Sequence, residues 1–452
     1  MQELKPILFL LLLLGSLSPP ARAQAPKPRL LVLTDIGGDP DDQQSLVRLL
    51  LYANELDIEG LCATSRLEHG QDTKPELIRE QLRAYGQVLP NLRLHAEGYP
   101  AAEELLAKVK NGRGDQHQVG AGFDSEASDW IIRTVDRPDP RPLWVTVWGG
   151  SRELAQALWK VREERGKEET AAFVAKLRVY FIGDQDGHRT WLLQHFDQLP
   201  TLAAGFSSFR TQKTRETAVY RGQYMTGDVS LQDNAWVREH IATGHGPLGQ
   251  LYPIDAHGSN GMKEGDTPSF TGLLPNGLQF PAESPEWGGW GGRFRKLRHN
   301  LYIDTQDFAF DDWNERFTVS RWRPFFQRDF QARMDWCVKP FAEANHAPLA
   351  VVNGDRTRDY LTLQAKPGAR LKLDATGSSD PDGHRLQYRW WVYPEPSKHI
   401  GTIPLKGADT AKPQLTLPPE AKGKILHLIL EVTDTGSPAL TSFRRVLVQV
   451  GE

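Results

Sequence analysis

The chain has 452 residues, 39% of them hydrophobic, enough for two or three domains with real cores. Its 54 Lys and Arg stand against 57 Asp and Glu, a net charge of -3 that offers no basic surface to a nucleic-acid polymer or an anionic membrane. Two cysteines, Cys62 and Cys337, exclude a disulfide-stapled scaffold, and two buried thiols are the expected state rather than a bridge.

Residues 1–23 read as a cleavable signal peptide: Lys5, an apolar run from Ile7 to Leu14, then the small-residue triplet Ala21-Arg22-Ala23. The run is shorter than the roughly 20 residues of a membrane span, so the expected protein is secreted or periplasmic and has no membrane partner. From Leu30 onward, strand-like and helix-like runs alternate. Strands are expected at Leu30 to Leu33, Ile58 to Ala63, Leu92 to His95, Leu143 to Trp148 and Leu177 to Ile182. Helices are expected at Gln43 to Ala53, Glu76 to Tyr85, Ala101 to Lys110, Asp124 to Val135, Arg152 to Val161 and Thr190 to Phe196. This rhythm predicts an α/β domain, a mostly parallel sheet with covering helices, over residues 24–344. From Phe206 to Asp335 the periodicity dissolves into loops rich in Gly and Trp, read as elaboration of that domain.

After Phe341 to Ala344, the last helix-like residues, Pro348 turns the chain out of helix. Short strands separated by turns then predict an immunoglobulin-like β-sandwich over 345–452. Adjacent strand residues face opposite ways, so one of Trp390 and Trp391 is expected in the core, leaving the other open as a surface stacking platform. The turn D-P-D-G (Asp380 to Gly383) reads either as a structural Ca²⁺ loop or as an ordinary acidic turn.

The chemistry concentrates in T-D-I-G-G-D-P-D-D (Thr34 to Asp42), at the carboxyl end of the first strand, where ligands bind in open α/β sheets. Four carboxylates, Asp35, Asp39, Asp41 and Asp42, repel one another unless a cation intervenes, and hard oxygen donors suit Ca²⁺ or Mg²⁺. The plain alternative is that Asp41 or Asp42 caps the next helix. I-G-D-Q-D-G (Ile182 to Gly187) delivers Asp184 and Asp186 in the same manner, although Asp186 also suits an ordinary turn.

This loop resembles that of the nucleoside hydrolases, and more closely that of the nucleoside-hydrolase-like, cellulose-binding-associated proteins with a C-terminal β-domain. The family loop is D-x-D-P-G-x-D-D. Asp35, Asp41 and Asp42 align with its first, third and fourth acids, and Gly37 takes the place of the second, which in the hydrolases helps bind calcium and activate water. The resemblance implies a Ca²⁺-dependent N-glycosidase fold. It assigns metal binding to Asp35, Asp42 and Asp266, the last in K-E-G-D-T-P-S-F (Lys263 to Phe270), and water activation to Asp41, or to Asp39 as a substitute.

W-G-G-S-R-E-L-A (Trp148 to Ala155) is similar to the hydrolases' G-P-L-T-N turn, with Arg152 or Glu153 where they have Asn, or is a plain glycine turn with Ser151 as helix cap. Asp184, Asp186 and Asn234 are candidate substrate contacts, together with Glu239, His245, His257 and Asn276. Trp290 is a candidate platform for a base or sugar ring, whereas Trp287 is expected to pack. The expected activity is metal-dependent hydrolysis of the N-glycosidic bond of a nucleoside or related glycoside. The alternative from another class is a non-catalytic binding protein for a cellulose-type polysaccharide. Oligomeric state is left open.

Overall fold

The computed structural model describes residues 26–65, 72–114, 118–206, 216–254, 261–399 and 401–452. The signal-peptide residues and His257 lie outside them. Eight strands form the main sheet: β1 (Arg29–Thr34), β2 (Asp57–Ala63), β3 (Val109–Asn111), β4 (Leu143–Val147), β5 (Leu177–Ile182), β6 (Thr201–Ala204), β7 (Phe294–Arg298) and β8 (Leu301–Asp304). Their order is β3-β2-β1-β4-β5-β6-β8-β7, all parallel except β7. The order reverses between β1 and β4, which opens a crevice beyond their carboxyl ends.

Strand alternation explains why β1 is apolar throughout. Leu30 and Val32 join the core on one sheet face, and Leu31 and Leu33 join the core on the other. Helices α1 (Asp41–Leu51) and α2 (Pro75–His95) supply the first core. The second is supplied by α4 (Glu126–Asp136), α5 (Arg152–Glu164), α6 (Lys167–Ala175) and α7 (His188–His195). Ser125 caps α4 by accepting the Ser128 N–H at 2.9 Å.

Several expected elements come out differently. The expected strand Leu92 to His95 is the last turn of α2, which runs through Pro90 because Val88, Leu89 and Leu92 are buried against the core. The helix expected over Ala101 to Lys110 is only α3 (Ala102–Leu106) followed by β3. The supposedly irregular stretch contributes β7 and β8 to the sheet and a 13-residue helix, Arg323–Asp335. Phe341–Glu343 form a single 3₁₀ turn.

The C-terminal strands form two sheets around a separate apolar core that holds Trp390. One sheet has four strands: β11 (Leu361–Ala365), β13 (Gln387–Tyr393), β16 (Ile425–Thr433) and β17 (Thr441–Val450). The other has three: β12 (Arg370–Lys372), β14 (Leu405–Lys406) and β15 (Gln414–Thr416). Trp391 is not a surface platform. Its ring packs on Trp322 at 5.8 Å, and its indole N–H donates to Glu431 at 2.7 Å, so it belongs to the contact between the two domains. Both cysteines are free and buried in different cores, Cys62 on β2 itself and Cys337 just after the helix Arg323–Asp335.

Candidate functional site

Beyond β1 the chain turns through Asp35 to Pro40 into α1. The Thr34 hydroxyl donates to Asp42 and accepts the Ile36 N–H at 3.2 Å, which ties the strand end to the first turn of α1. Pro40 stands at the N-cap position without a side-chain cap, so neither Asp41 nor Asp42 is the capping residue; both begin the helix itself. Gly37 adopts φ +88°, and a Cβ there would lie 2.6 Å from the Lys74 side chain. Any side chain at this position is therefore strained by this backbone, which accounts physically for a glycine here.

The turn after β4 completes one wall. A Cβ on Gly149 would lie 2.4 Å from Asp35 Oδ1, so the backbone approaches that carboxylate as only glycine allows. The buried Trp148 indole donates to Ser269 Oγ at 2.8 Å, and Ser269 donates to the Asp266 carbonyl at 2.6 Å. Through this chain of hydrogen bonds the β4 turn fixes the segment that carries Asp266. From α1, Gln44 donates to the Pro253 carbonyl at 2.6 Å and accepts the Lys263 N–H at 2.7 Å, holding the same segment from the other side.

One oxygen from each of Asp41, Asp42 and Asp266 lies within 4.8 Å of the others. Asp42 and Asp266 are buried and Asp41 is half-buried. Burial pushes the Asp42 carboxyl well above the ordinary carboxylate range, and the charges of Asp35 and Asp41 push it the same way against the opposing Thr34 hydrogen bond. Asp35, 6% exposed, thus lies beside the cluster. Asp39 does not join it; its carboxylate is half-exposed at the rim, paired with Lys263 at 3.0 Å.

Beneath this set runs a polar network that sequence reasoning missed. Arg48 of α1 pairs with buried Glu264 at 2.5 Å, and Glu264 also accepts from Tyr252 at 2.7 Å and Thr267 at 2.9 Å. Tyr220 and Tyr224 were missed as well. They flank Gly265 beside Asp41, each with a ring atom within 3.7 Å of where a Cβ on that glycine would be, and both rings are buried.

Other candidates have visible structural duties. Asp186 accepts the Arg152 N–H at 2.8 Å, the Ser151 hydroxyl at 3.1 Å and the His188 N–H at 3.0 Å. It caps α5 from outside, while Ser151, although at the N-cap position, makes no cap bond of its own. Burial raises the Asp186 carboxyl above its ordinary range despite those donors. Asp184 accepts the Gly187 N–H at 3.1 Å and lies 3.8 Å from Arg189. Arg152 and Glu153 pair with each other at 3.0 Å.

Asn234 opens the short helix Asn234–Val237 and lies against Gly261, whose carbonyl accepts from Gln44 at 3.2 Å. His245 pairs with Asp335 at 3.3 Å, Glu239 lies beside His240 at 3.9 Å, and the Asn276 carbonyl accepts the Phe443 N–H at 3.2 Å. Trp290 is only 3% exposed and meets Phe326 and Phe443 edge-on, so its ring packs between the domains and away from the acids. Trp287 packs edge-on against Tyr360 and His427. A cavity of about 410 Å³ also lies between the domains, and none of the clustered acids lines it.

Two family descriptions match the sequence. Residues 29–294 match the nucleoside hydrolase-like domain of cellulose-binding Sde182, and residues 370–450 match the C-terminal domain of cellulose-binding protein Sde0182. A solved structure, a nucleoside hydrolase-related hypothetical protein from Saccharophagus degradans associated with carbohydrate metabolism, is 36% identical with a TM-score of 0.81. The match covers 94% of this chain and 100% of that one. The effector protein XOO4466 is 12% identical over 71% of this chain and 95% of that one, with a TM-score of 0.36. No curated protein matches the sequence.

Proposed function

The chain belongs to the family of cellulose-binding proteins with an Sde182 nucleoside hydrolase-like domain, and from that premise we propose that it is an exported, calcium-dependent glycosidase acting on an N-glycosidic or related bond. The observation that carries this reading is the convergence of Asp41, Asp42 and Asp266 at the switch point of the sheet. The donor set fits the ion: three carboxylates offer the hard oxygens that Ca²⁺ takes, and like charges crowded around buried Asp42 favour a cation between them. When bound, calcium supplies the positive field that orders a sugar diol and acidifies a coordinated water.

The chain's own residues do the rest. Asp42 and Asp266, buried and fixed from both sides, would hold the ion, with Asp35 adding charge behind Asp42. Asp41, half-buried at the mouth, takes the proton from the attacking water. Asp39 is held by Lys263 and leaves that task to Asp41. The rings of Tyr220 and Tyr224 provide the apolar wall against which a sugar or base lies. An extracellular or periplasmic site of action agrees with the cellulose-binding family description and with the leader-like residues 1–23. No described helix is long and apolar enough to cross a membrane.

A second reading, polysaccharide binding without turnover, is favoured by the hairpin β9 (Asp307–Ala309) and β10 (Asp312–Asn314). It exposes Phe308 by 47%, Phe310 by 60% and Trp313 by 56%. Exposed rings of this kind stack on sugar faces. The deciding experiment is release of reducing sugar from nucleosides and cello-oligosaccharides with Ca²⁺, wild type beside Asp41→Asn. Release by the wild type alone supports the hydrolase. No release by either protein, with retention on cellulose, replaces it with the second reading.

A further inference from the structure

The turn Asp380-Pro381-Asp382-Gly383-His384 of the C-terminal domain gathers a second set of ligating atoms, far in sequence from the acidic crevice. One oxygen of Asp380, one of Asp382 and an imidazole nitrogen of His384 lie within 4.8 Å of one another. The Asp380 side chain is 1% exposed. Its Oδ1 accepts the backbone N–H groups of Asp382 at 3.0 Å and His384 at 2.9 Å, whereas its Oδ2 is buried with no donor. Asp382 receives the backbone N–H of His346 at 2.8 Å and its Nδ1 at 2.9 Å. Buried Asp434 lies near enough that, after the larger effect of its own burial, the Asp380 charge raises its carboxyl above the ordinary range.

Among the described residues, no Lys or Arg lies within ion-pair distance of Asp380, Asp382 or Asp434; the basic groups there are His346 and His384. A buried carboxylate oxygen without a donor is costly, and an ion that accepts it together with an imidazole removes that cost.

We propose that Asp380, Asp382 and His384 bind one divalent transition-metal ion of the Zn²⁺ class. The imidazole decides the class, since Ca²⁺ takes oxygen donors whereas zinc accepts carboxylate oxygen and histidine nitrogen together. The ion has a structural consequence. Asp382 holds His346, and His346 Nε2 meets His95 Nδ1 of the nucleoside hydrolase-like domain at 2.9 Å. Fixing Asp382 therefore fixes a contact between the domains.

The test is calorimetric titration of Zn²⁺ into the chelator-stripped full-length protein, its Asp380→Asn and His384→Ala variants, and Asp42→Asn as control. The wild type and Asp42→Asn are expected to share one tight equivalent that weakens at least tenfold in the other two, with a Zn²⁺-dependent rise in Tm lost in parallel. His384 is 37% exposed, so its variant folds even if Asp380→Asn does not. Equal Zn²⁺ stoichiometry and affinity in wild type and His384→Ala would overturn the proposal. So would an equivalent of Ca²⁺ that survives His384→Ala and disappears in Asp380→Asn.

Discussion

The acidic crevice and the contact between the domains both bury charge, and they treat it in opposite ways. At the contact, Asp307 is fully buried between Arg293 at 2.6 Å and Arg321 at 2.8 Å and accepts the Tyr393 hydroxyl at 2.5 Å. The two guanidinium groups overcome its burial and hold its carboxyl below the usual range. In the crevice, the charges that bear on buried Asp42 are those of Asp35 and Asp41, and its carboxyl is driven the other way. A structural site neutralises its charges internally, whereas a binding site leaves like charges pressed together for something else to neutralise.

The largest effect that would break this contrast is at the contact. Asp307→Ala leaves buried Arg293 without its anion and half-buried Arg321 with only Glu395 at 3.5 Å, and the expected loss is about 3–5 kcal/mol of unfolding free energy in urea. A loss below about 1 kcal/mol would place this triad with surface pairs and erase the distinction. The matching change in the crevice, Asp42→Asn, is expected to lower Ca²⁺ affinity by roughly 100-fold, measured calorimetrically. Without the ion it relieves repulsion, so stability stays level or rises by about 1 kcal/mol. If the apoprotein instead loses as much stability as Asp307→Ala, the crevice is a structural network.

Acid sharpens the same comparison. His427 lies at the contact with its Nδ1 2.9 Å from Arg445, and burial, with the Arg445 charge in second place, lowers its pKa from 6.5 to about 2. The native state binds the proton less readily than the unfolded one, so the stability His427 contributes is full above pH 6.5 and is lost as pH falls below it. At about 1.4 kcal/mol per pH unit, the expected loss between pH 6.5 and 5 is about 2 kcal/mol. Urea unfolding at the two values measures it, and His427→Gln is expected to flatten the slope. An unchanged slope in that variant would remove His427 from the account.

How much of this was legible follows from the physics of each part. The acidic loop announced itself because four carboxylates beside two glycines have few structural excuses, and β1 and β5 were legible because strands covered on both faces are apolar without interruption. The helix Arg323–Asp335 was hidden because its buried side carries Arg323, Gln327 and Arg333 among Phe326, Phe330 and Met334, which breaks the apolar period. Arg48 and Glu264, separated by 216 residues, meet only after folding, and neither has a local signature. Tyr220 and Tyr224 sit in a stretch without periodicity, so only the tertiary structure brings them to Asp41. Trp290 drew attention for its glycine-rich setting, which in the fold serves close packing between the domains.

The smallest expected change in stability concerns exposed rings, not a buried charge, in the hairpin that Asp307 begins. Trp313 pairs across the hairpin with Phe308, their rings 5.5 Å apart, and both project into solvent. An exposed ring removed from a two-residue contact changes stability by no more than about 0.5 kcal/mol, so Trp313→Ala should unfold in urea as the wild type does. Retention on cellulose is the discriminating measurement. If the hairpin holds polysaccharide, retention falls severalfold in Trp313→Ala and further when Phe308 is also replaced, while the Ca²⁺ binding proposed for the crevice is expected to match that of the wild type. Equal retention in wild type and the double variant would move sugar recognition from these rings to the crevice, where Tyr220 and Tyr224 are the remaining aromatic wall.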